Sequence, residues 1–265
     1  MVLSRNPEGL TAESFYFSFM VGAERTLSER SLSIILALAT SVEDEIAIYR
    51  RWKSSRTVDG VIVVDPRDDD ERVNVLTSIG LPFVYTGQHC EGAASVSTSD
   101  HDAMVTIVDH LAEVGCHSLA YIHLSHNYQH VRDRGKALLR RAAHHGIDAF
   151  VAPSDGESED AGAHATSSLL PHIPDAVVYD NEILTLGGYG VLSRHGYHIG
   201  QDVRVVSCED SPICRVLPIP VTALHRSPAD LGALAAEALL ALLDGEGEHD
   251  MTSGPPKLTI RQSTM

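Results

Sequence analysis

Several things are scarce in this chain, and each scarcity excludes something. Basic residues are few: 20 Lys and Arg stand against 36 Asp and Glu, for a formal net charge of −16. Gripping nucleic-acid phosphates requires clustered Lys and Arg, so the chain itself is a poor match to a DNA backbone. Its arginines are dispersed (Arg50, Arg51, Arg56, Arg67, Arg72), and the densest basic stretch, Arg132 to Arg141, reads as a solvated helix face. The four cysteines, Cys90, Cys116, Cys208 and Cys214, form no CxxC pair, which argues for reduced thiols over a disulfide framework. No apolar run reaches the about 18 residues of a membrane-spanning helix. The segment Met1-Val-Leu-Ser-Arg-Asn-Pro7 lacks the apolar core of about 7–15 residues that marks a secretory leader. The expectation is a cytoplasmic protein with no membrane partner. Catalytic motifs are missing too: there is no GxSxG, no Walker loop and no GxGxxG after a strand. Gly187-Gly188-Tyr-Gly190 lies inside a helical pattern, where close helix packing explains it better than a phosphate loop. With no nucleophile–base pair in view, neither an enzyme nor a cofactor is expected.

What is present is a rhythm. At 265 residues and 43% hydrophobic content, the chain is long enough for two lobes with real cores. Short apolar runs alternate with amphipathic stretches: strands at Val2-Leu3, 33–39, 60–64, 82–85, 118–123, 149–152, 176–179, 203–206 and 258–260, with helices over 15–30, 43–56, 72–79, 100–114, 132–145, 161–170, 183–195 and 228–243. Helices between short strands predict right-handed βαβ units and parallel sheets, an α/β fold. Gly115 and Gly146 sit where helix ends need them, and 245–256 reads as a polar Gly/Pro loop.

An ordered set of short motifs runs through this rhythm: Val58-Asp-Gly-Val-Ile-Val-Val64, Ser95-Val-Ser-Thr-Ser-Asp100, His110-Leu-Ala-Glu-Val-Gly115, Arg132-Asp-Arg-Gly135, Pro174-Asp-Ala-Val-Val-Tyr-Asp-Asn181, Val205-Val-Ser-Cys-Glu-Asp-Ser211 and Lys257-Leu-Thr-Ile-Arg-Gln-Ser-Thr264. No one of them is specific, but the order and spacing resemble the effector-binding core of the LacI/GalR family of bacterial transcription regulators, from about residue 2 to the C-terminus. The resemblance implies two Rossmann-like lobes of the periplasmic-binding-protein-like type I, with three inter-lobe crossings near Leu124–Ser125, Leu217–Leu224 and Met251–Leu258. The implied lobes are 1–124 plus 224–251, and 125–223 plus 252–265. It further implies a homodimer that clamps a small molecule, a sugar or polyol, and thereby controls an N-terminal helix-turn-helix that would make all the DNA contacts. That head is missing from this chain, which begins within the first core strand. The alternative is a headless or transport-type sugar-binding protein, the transport form being distinguished by a leader.

In parallel α/β sheets ligands gather just past the carboxyl ends of strands, and five candidates stand there. Arg132 could fork hydrogen bonds onto a ligand and matches the family's effector-contacting Arg; the plainer reading is a helix-start Arg paired with a nearby acid. Asp100 could face the pocket, oriented by Arg132, or could simply cap its helix. Asn181 offers a donor and an acceptor to a hydroxyl; the Glu182 beside it replaces the family's Asp. Glu209 takes the place of a sugar-holding Asp with a longer side chain, pointing to an altered effector, or is an ordinary loop acid. Phe15, between Ser14 and Tyr16, could wall one face of a sugar or pack into the core. His123, His126 and His130 cluster past one strand, and the four-residue spacing of His126 and His130 is one that metal chelation can use, but no strong carboxylate or Cys partner stands nearby in sequence, so no metal is expected.

Overall fold

The computed structural model describes residues 1–4, 14–124, 128–247 and 250–265. The chain divides into two compact units. The first comprises Met1–Thr98, Tyr128–His130 and Ser227–Gly254; the second comprises Ser99–Asn127, Val131–Arg226 and Pro255–Met265.

In the first unit, β1 (Val2–Ser4) pairs in parallel with β2 (Ala37–Ala39), so only the end of the expected 33–39 strand is extended and paired. A four-stranded sheet has the order β11-β5-β4-β3, all parallel, from β3 (Val61–Val63), β4 (Phe83–Gly87), β5 (Ala94–Ser97) and β11 (Asp250–Thr252). Side chains alternate across it, as a strand's two-residue period requires. Val61, Val63, Phe83 and Tyr85 enter one core with Tyr49 and Trp52 of α2 (Val42–Ser55) and Leu76 of α3 (Glu71–Ile79). Ile62, Val84, Ala94 and Val96 enter the other, with Phe19, Ala23 and Leu27 of α1 (Ser14–Ser28) and Leu231, Ala235 and Leu239 of α9 (Pro228–Leu243). A parallel sheet is stable when both its faces are covered in this way. Helices α1 and α9 meet at glycine: a Cβ on Gly232 would stand 2.0 Å from the Phe19 carbonyl oxygen.

The second unit holds a six-stranded sheet of order β12-β10-β9-β8-β6-β7. Its strands β6 (Ser118–His123), β7 (Asp148–Pro153), β8 (Ala176–Tyr179), β9 (Arg204–Ser207) and β10 (Thr222–His225) run parallel, and β12 (Lys257–Thr259) closes the edge antiparallel to β10. One face carries α4 (Asp100–Glu113) and α5 (Gln129–His145): Met104, Ile107, Leu111, Leu138 and Ala142 share a core with Leu119, Tyr121, Val178 and Val206. That shared core is why the chain enters the second unit at residue 99, whereas the sequence expectation kept 1–124 in one lobe. Two more helices of this unit, α6 (Glu159–Ser167) and α7 (Glu182–Arg194), pack on each other through glycine. A Cβ on Gly187 would fall 1.9 Å from the Glu159 carbonyl oxygen, and one on Gly162 would fall 2.4 Å from that of Leu184. The short helix α8 (Pro212–Val216) follows β9.

Among the described residues, no helix is long and apolar enough to cross a membrane.

Candidate functional site

The carboxyl ends of β6, β8, β9 and β10 and the start of α4 bring a polar cluster together inside the second unit. Asp100, Asp180 and Arg134 are nearly buried, at 5%, 2% and 5% exposure. Arg134 ties the cluster: its Nε donates to Asp100 Oδ1 at 2.7 Å and its Nη1 to Asp180 Oδ1 at 2.7 Å. Tyr121, on β6, donates its hydroxyl to the same Asp180 oxygen. Arg226, the first residue past β10, donates from Nη1 to Asp100 Oδ1 at 2.9 Å. Burial opposes the charge on Arg134, but Asp100 and Asp180 outweigh it and push its pKa well above the ordinary arginine value. A buried ion pair of this kind offsets its desolvation only through close geometry and further hydrogen bonds, which Tyr121 and Arg226 supply here.

Glu209 stands two residues past the end of β9. The Ser207 hydroxyl donates to the Glu209 carbonyl at 2.8 Å and fixes the turn. Burial raises the Glu209 carboxyl from its usual range to about 7; Arg226 and Arg134 pull it down, and Glu182 and Asp180 push it up. The carboxyl therefore shares its surroundings with both arginines. Burial also lifts the neighbouring Cys208 thiol to about 12, so it is an inert packing group.

Asn181 opens α7. Its carbonyl oxygen accepts from the backbone N–H of Ile183 at 3.1 Å and of Leu184 at 2.9 Å, so the acceptor half of the amide is engaged in capping the helix.

Of the five residues expected from sequence, Asp100, Asn181 and Glu209 lie at this end of the second unit's sheet. Asp100 does not cap its helix; Ser99 precedes it in that position. The partner that orients Asp100 is Arg134, not Arg132. Arg132 is half-exposed, 43% at the side chain, with its Nε 3.5 Å from Asp133. Residues two apart on a helix face about 200° away from each other, which separates the two arginines. Phe15 belongs to the first unit, where its ring packs edge-on to Tyr16 at 5.3 Å and stacks on Phe19 at 6.4 Å, against the core. Asp180, Arg134, Tyr121 and Arg226 were not singled out from sequence. The signal for two of them was available: Asp180 and Arg226 are each the first residue beyond a parallel strand.

Of the three histidines with chelating spacing, His126 lies outside the described residues. His123 donates from Nδ1 to the Leu124 carbonyl at 2.7 Å, and His130 stacks on Tyr128. Among the described residues, no group of three or more His, Cys, Asp or Glu could hold a metal ion.

The model of the periplasmic binding protein-like domain family matches residues 108–264. The HTH-type transcriptional regulator AglR of Rhizobium meliloti (strain 1021) is 26% identical over 273 residues, covering 97% of this chain and 75% of that protein. The crystal structure of a LacI family transcriptional regulator from Bifidobacterium animalis subsp. lactis superposes with a TM-score of 0.89 at 26% identity, over 95% of this chain and 94% of the other. A solved complex of the transcriptional regulator CelR with cellobiose gives a TM-score of 0.90 at 24% identity, over 99% of this chain and 83% of that one, a likeness of fold. These relatives are transcriptional regulators and not enzymes.

Proposed function

Since the chain belongs to the periplasmic binding protein-like domain family, in the form that makes up the effector-binding core of LacI-family transcriptional regulators, we propose that it senses a small hydroxylated molecule, a sugar or polyol, at the polar cluster of its second unit. The observation that carries this reading is the convergence of Asp100, Asn181 and Glu209 with Arg134, Asp180 and Arg226 at the carboxyl ends of parallel strands, the place where such sheets hold ligands. Carboxylates and guanidinium groups there offer acceptors and donors to hydroxyls that have both. Arg132 supplies a further guanidinium from the exposed side of α5.

The likeness to CelR, whose solved complex contains cellobiose, supports a carbohydrate effector. The protein works in the cytoplasm as a homodimer, and its response reaches DNA through a helix-turn-helix segment outside this sequence; a net charge of −16 suits the core to sensing rather than to gripping phosphates. The effector can shift the regulatory equilibrium only by the difference in its affinity for the two states.

The test is a thermal-shift screen against mono- and disaccharides, polyols and nucleosides, since a ligand stabilises in proportion to the logarithm of its excess over Kd. A sugar that raises the melting temperature of the wild type, but not of Glu209→Ala or Arg132→Ala, supports the reading. Stabilisation by nucleosides alone, or by sugars equally in both variants, overturns it.

A further inference from the structure

Arg226 carries a feature that the rest of the cluster does not. Its Nη1 is spent on Asp100, but Nε and Nη2 are buried without a hydrogen-bond partner. Buried donors are nearly always met in folded proteins, so a guanidinium edge held this way is a mark of something it is built to receive. Nε and Nη2 lie on one edge of the planar group, and their N–H bonds point in parallel, matching two oxygens side by side. Arg134, by contrast, is committed to Asp100 and Asp180 on both of the edges it uses.

Resting on the reading of the cluster as a sugar site, we propose that Arg226 is the residue that selects the effector, and that its Nε/Nη2 edge takes two adjacent hydroxyl oxygens of a neutral vicinal diol rather than a carboxylate or phosphate. The charges around it make the choice. Asp100, Asp180 and Glu209 stand against Arg134 and Arg226, with the buried Glu182 adding to the acidic side. An anionic ligand would add negative charge to a cluster that already has an excess of it. A hydroxyl can accept from Arg226 while donating to the Asp100 carboxylate that Arg226 holds; a carboxylate or phosphate oxygen can only accept, and would be repelled by it. The pairing of a donor edge with an acceptor carboxyl is thus matched to an O–H group that has both characters.

The experiment is calorimetric titration of the full chain with cellobiose, glucose, galactose, ribose and mannitol. For each sugar that binds, the matching uronate, the matching 6-phosphate (5-phosphate for ribose) and the single-deoxy sugars follow. Arg226→Lys and Arg226→Gln are titrated beside the wild type; lysine keeps a charge that can reach Asp100 but cannot present the paired edge. The expected result is binding of a neutral sugar, about tenfold or more weaker binding of its acid and phosphate forms, and a loss of about tenfold or more in Arg226→Lys. Removing either of two adjacent hydroxyls should weaken wild-type binding by a similar factor, a measurement that needs no variant to fold. An acid form that binds more tightly than its neutral parent overturns the choice of ligand class. Unchanged affinity in Arg226→Lys, or indifference to every single-deoxy change, overturns the role of Arg226 and leaves the sugar-site reading standing. Absence of binding by all five neutral probes overturns that reading and this inference with it.

Discussion

Arg261 holds Asp210 by both carboxylate oxygens, with Nη2 at 2.9 Å from Oδ1 and 2.8 Å from Oδ2. Its Nη1 donates to the Val221 carbonyl at 2.7 Å, and its backbone N–H donates to the Thr222 hydroxyl at 2.8 Å. Three residues on, Thr264 is fully buried and bonded to both His110 and Thr222 at 2.7 Å. The tail is thereby fastened to the loop that carries Glu209, one residue before Asp210. Arg261→Ala removes one partner of a mostly buried charge pair, and should destabilise the protein by roughly 2–4 kcal/mol in urea unfolding. Asp210→Ala should weaken stability to a similar extent, and the double variant should be less costly than the sum of the two. Strict additivity would show that the two side chains do not interact.

Arg134 and Arg132 should behave as opposites. Arg134→Met removes the guanidinium that Asp100 and Asp180 share in the interior, for which about 3–5 kcal/mol is the expected loss. Arg132→Ala, on the exposed side, should change stability by less than about 0.5 kcal/mol. Chemical denaturation of both variants decides it; a large loss in Arg132→Ala would show that its role is structural.

Glu209 makes a signed prediction about pH. Its carboxyl is raised in the folded protein, from its usual 4.5 to about 7, chiefly by burial. Between those values the folded state holds a proton that the unfolded state has released. The group's contribution to stability is therefore full below about pH 4.5 and is lost as pH rises through about 7. Melting temperatures followed from pH 5 to 8 should fall more steeply in the wild type than in Glu209→Gln, which cannot titrate. Parallel curves would show that the carboxyl does not titrate in this window.

Gly187→Ala tests the packing of α6 against α7. A Cβ there would meet the Glu159 carbonyl oxygen at 1.9 Å, so the helices would have to separate. A loss of about 1–3 kcal/mol or more is expected. Gly254→Ala, where a Cβ meets nothing within 4 Å, should be nearly silent in the same melting experiment.

Much of this architecture was legible because parallel strands buried on both faces are short, apolar and β-branched. Val61–Val63 and Ala176–Tyr179 are of this kind. Ala94-Ser-Val-Ser97 was passed over because half its residues are serine, although it is paired on both sides. Asp250-Met-Thr252 was hidden in a Gly/Pro loop, since an edge strand needs backbone more than side chains. In the polar cluster of the second unit, the positions of Asp100, Asn181 and Glu209 were readable from their place past strands or at a helix start. The choice between Arg132 and Arg134 was not, because it depends on which side of α5 turns toward β6. Arg226 escaped notice because a single Arg in Leu224-His-Arg-Ser-Pro228 has no periodic signal; its meaning lies in what its nitrogens lack.

The seating of α9 on α1 dictates when the first unit can form. Arg30 meets Asp244, 214 positions further along, and Ser95 meets Asp250 across 155. A nascent chain that has emerged only as far as Thr98 would display the apolar side of α1, with Phe19 and Ala23, and the open flank of β5, with nothing yet made to cover them. Pairing across such separations is slow, and uncovered strand flanks invite association. The residues of the first unit up to Thr98 thus wait, exposed, for residues 227–254 to be translated, and the yield in a cell should depend on chaperone supply during synthesis more than on the stability of the finished fold.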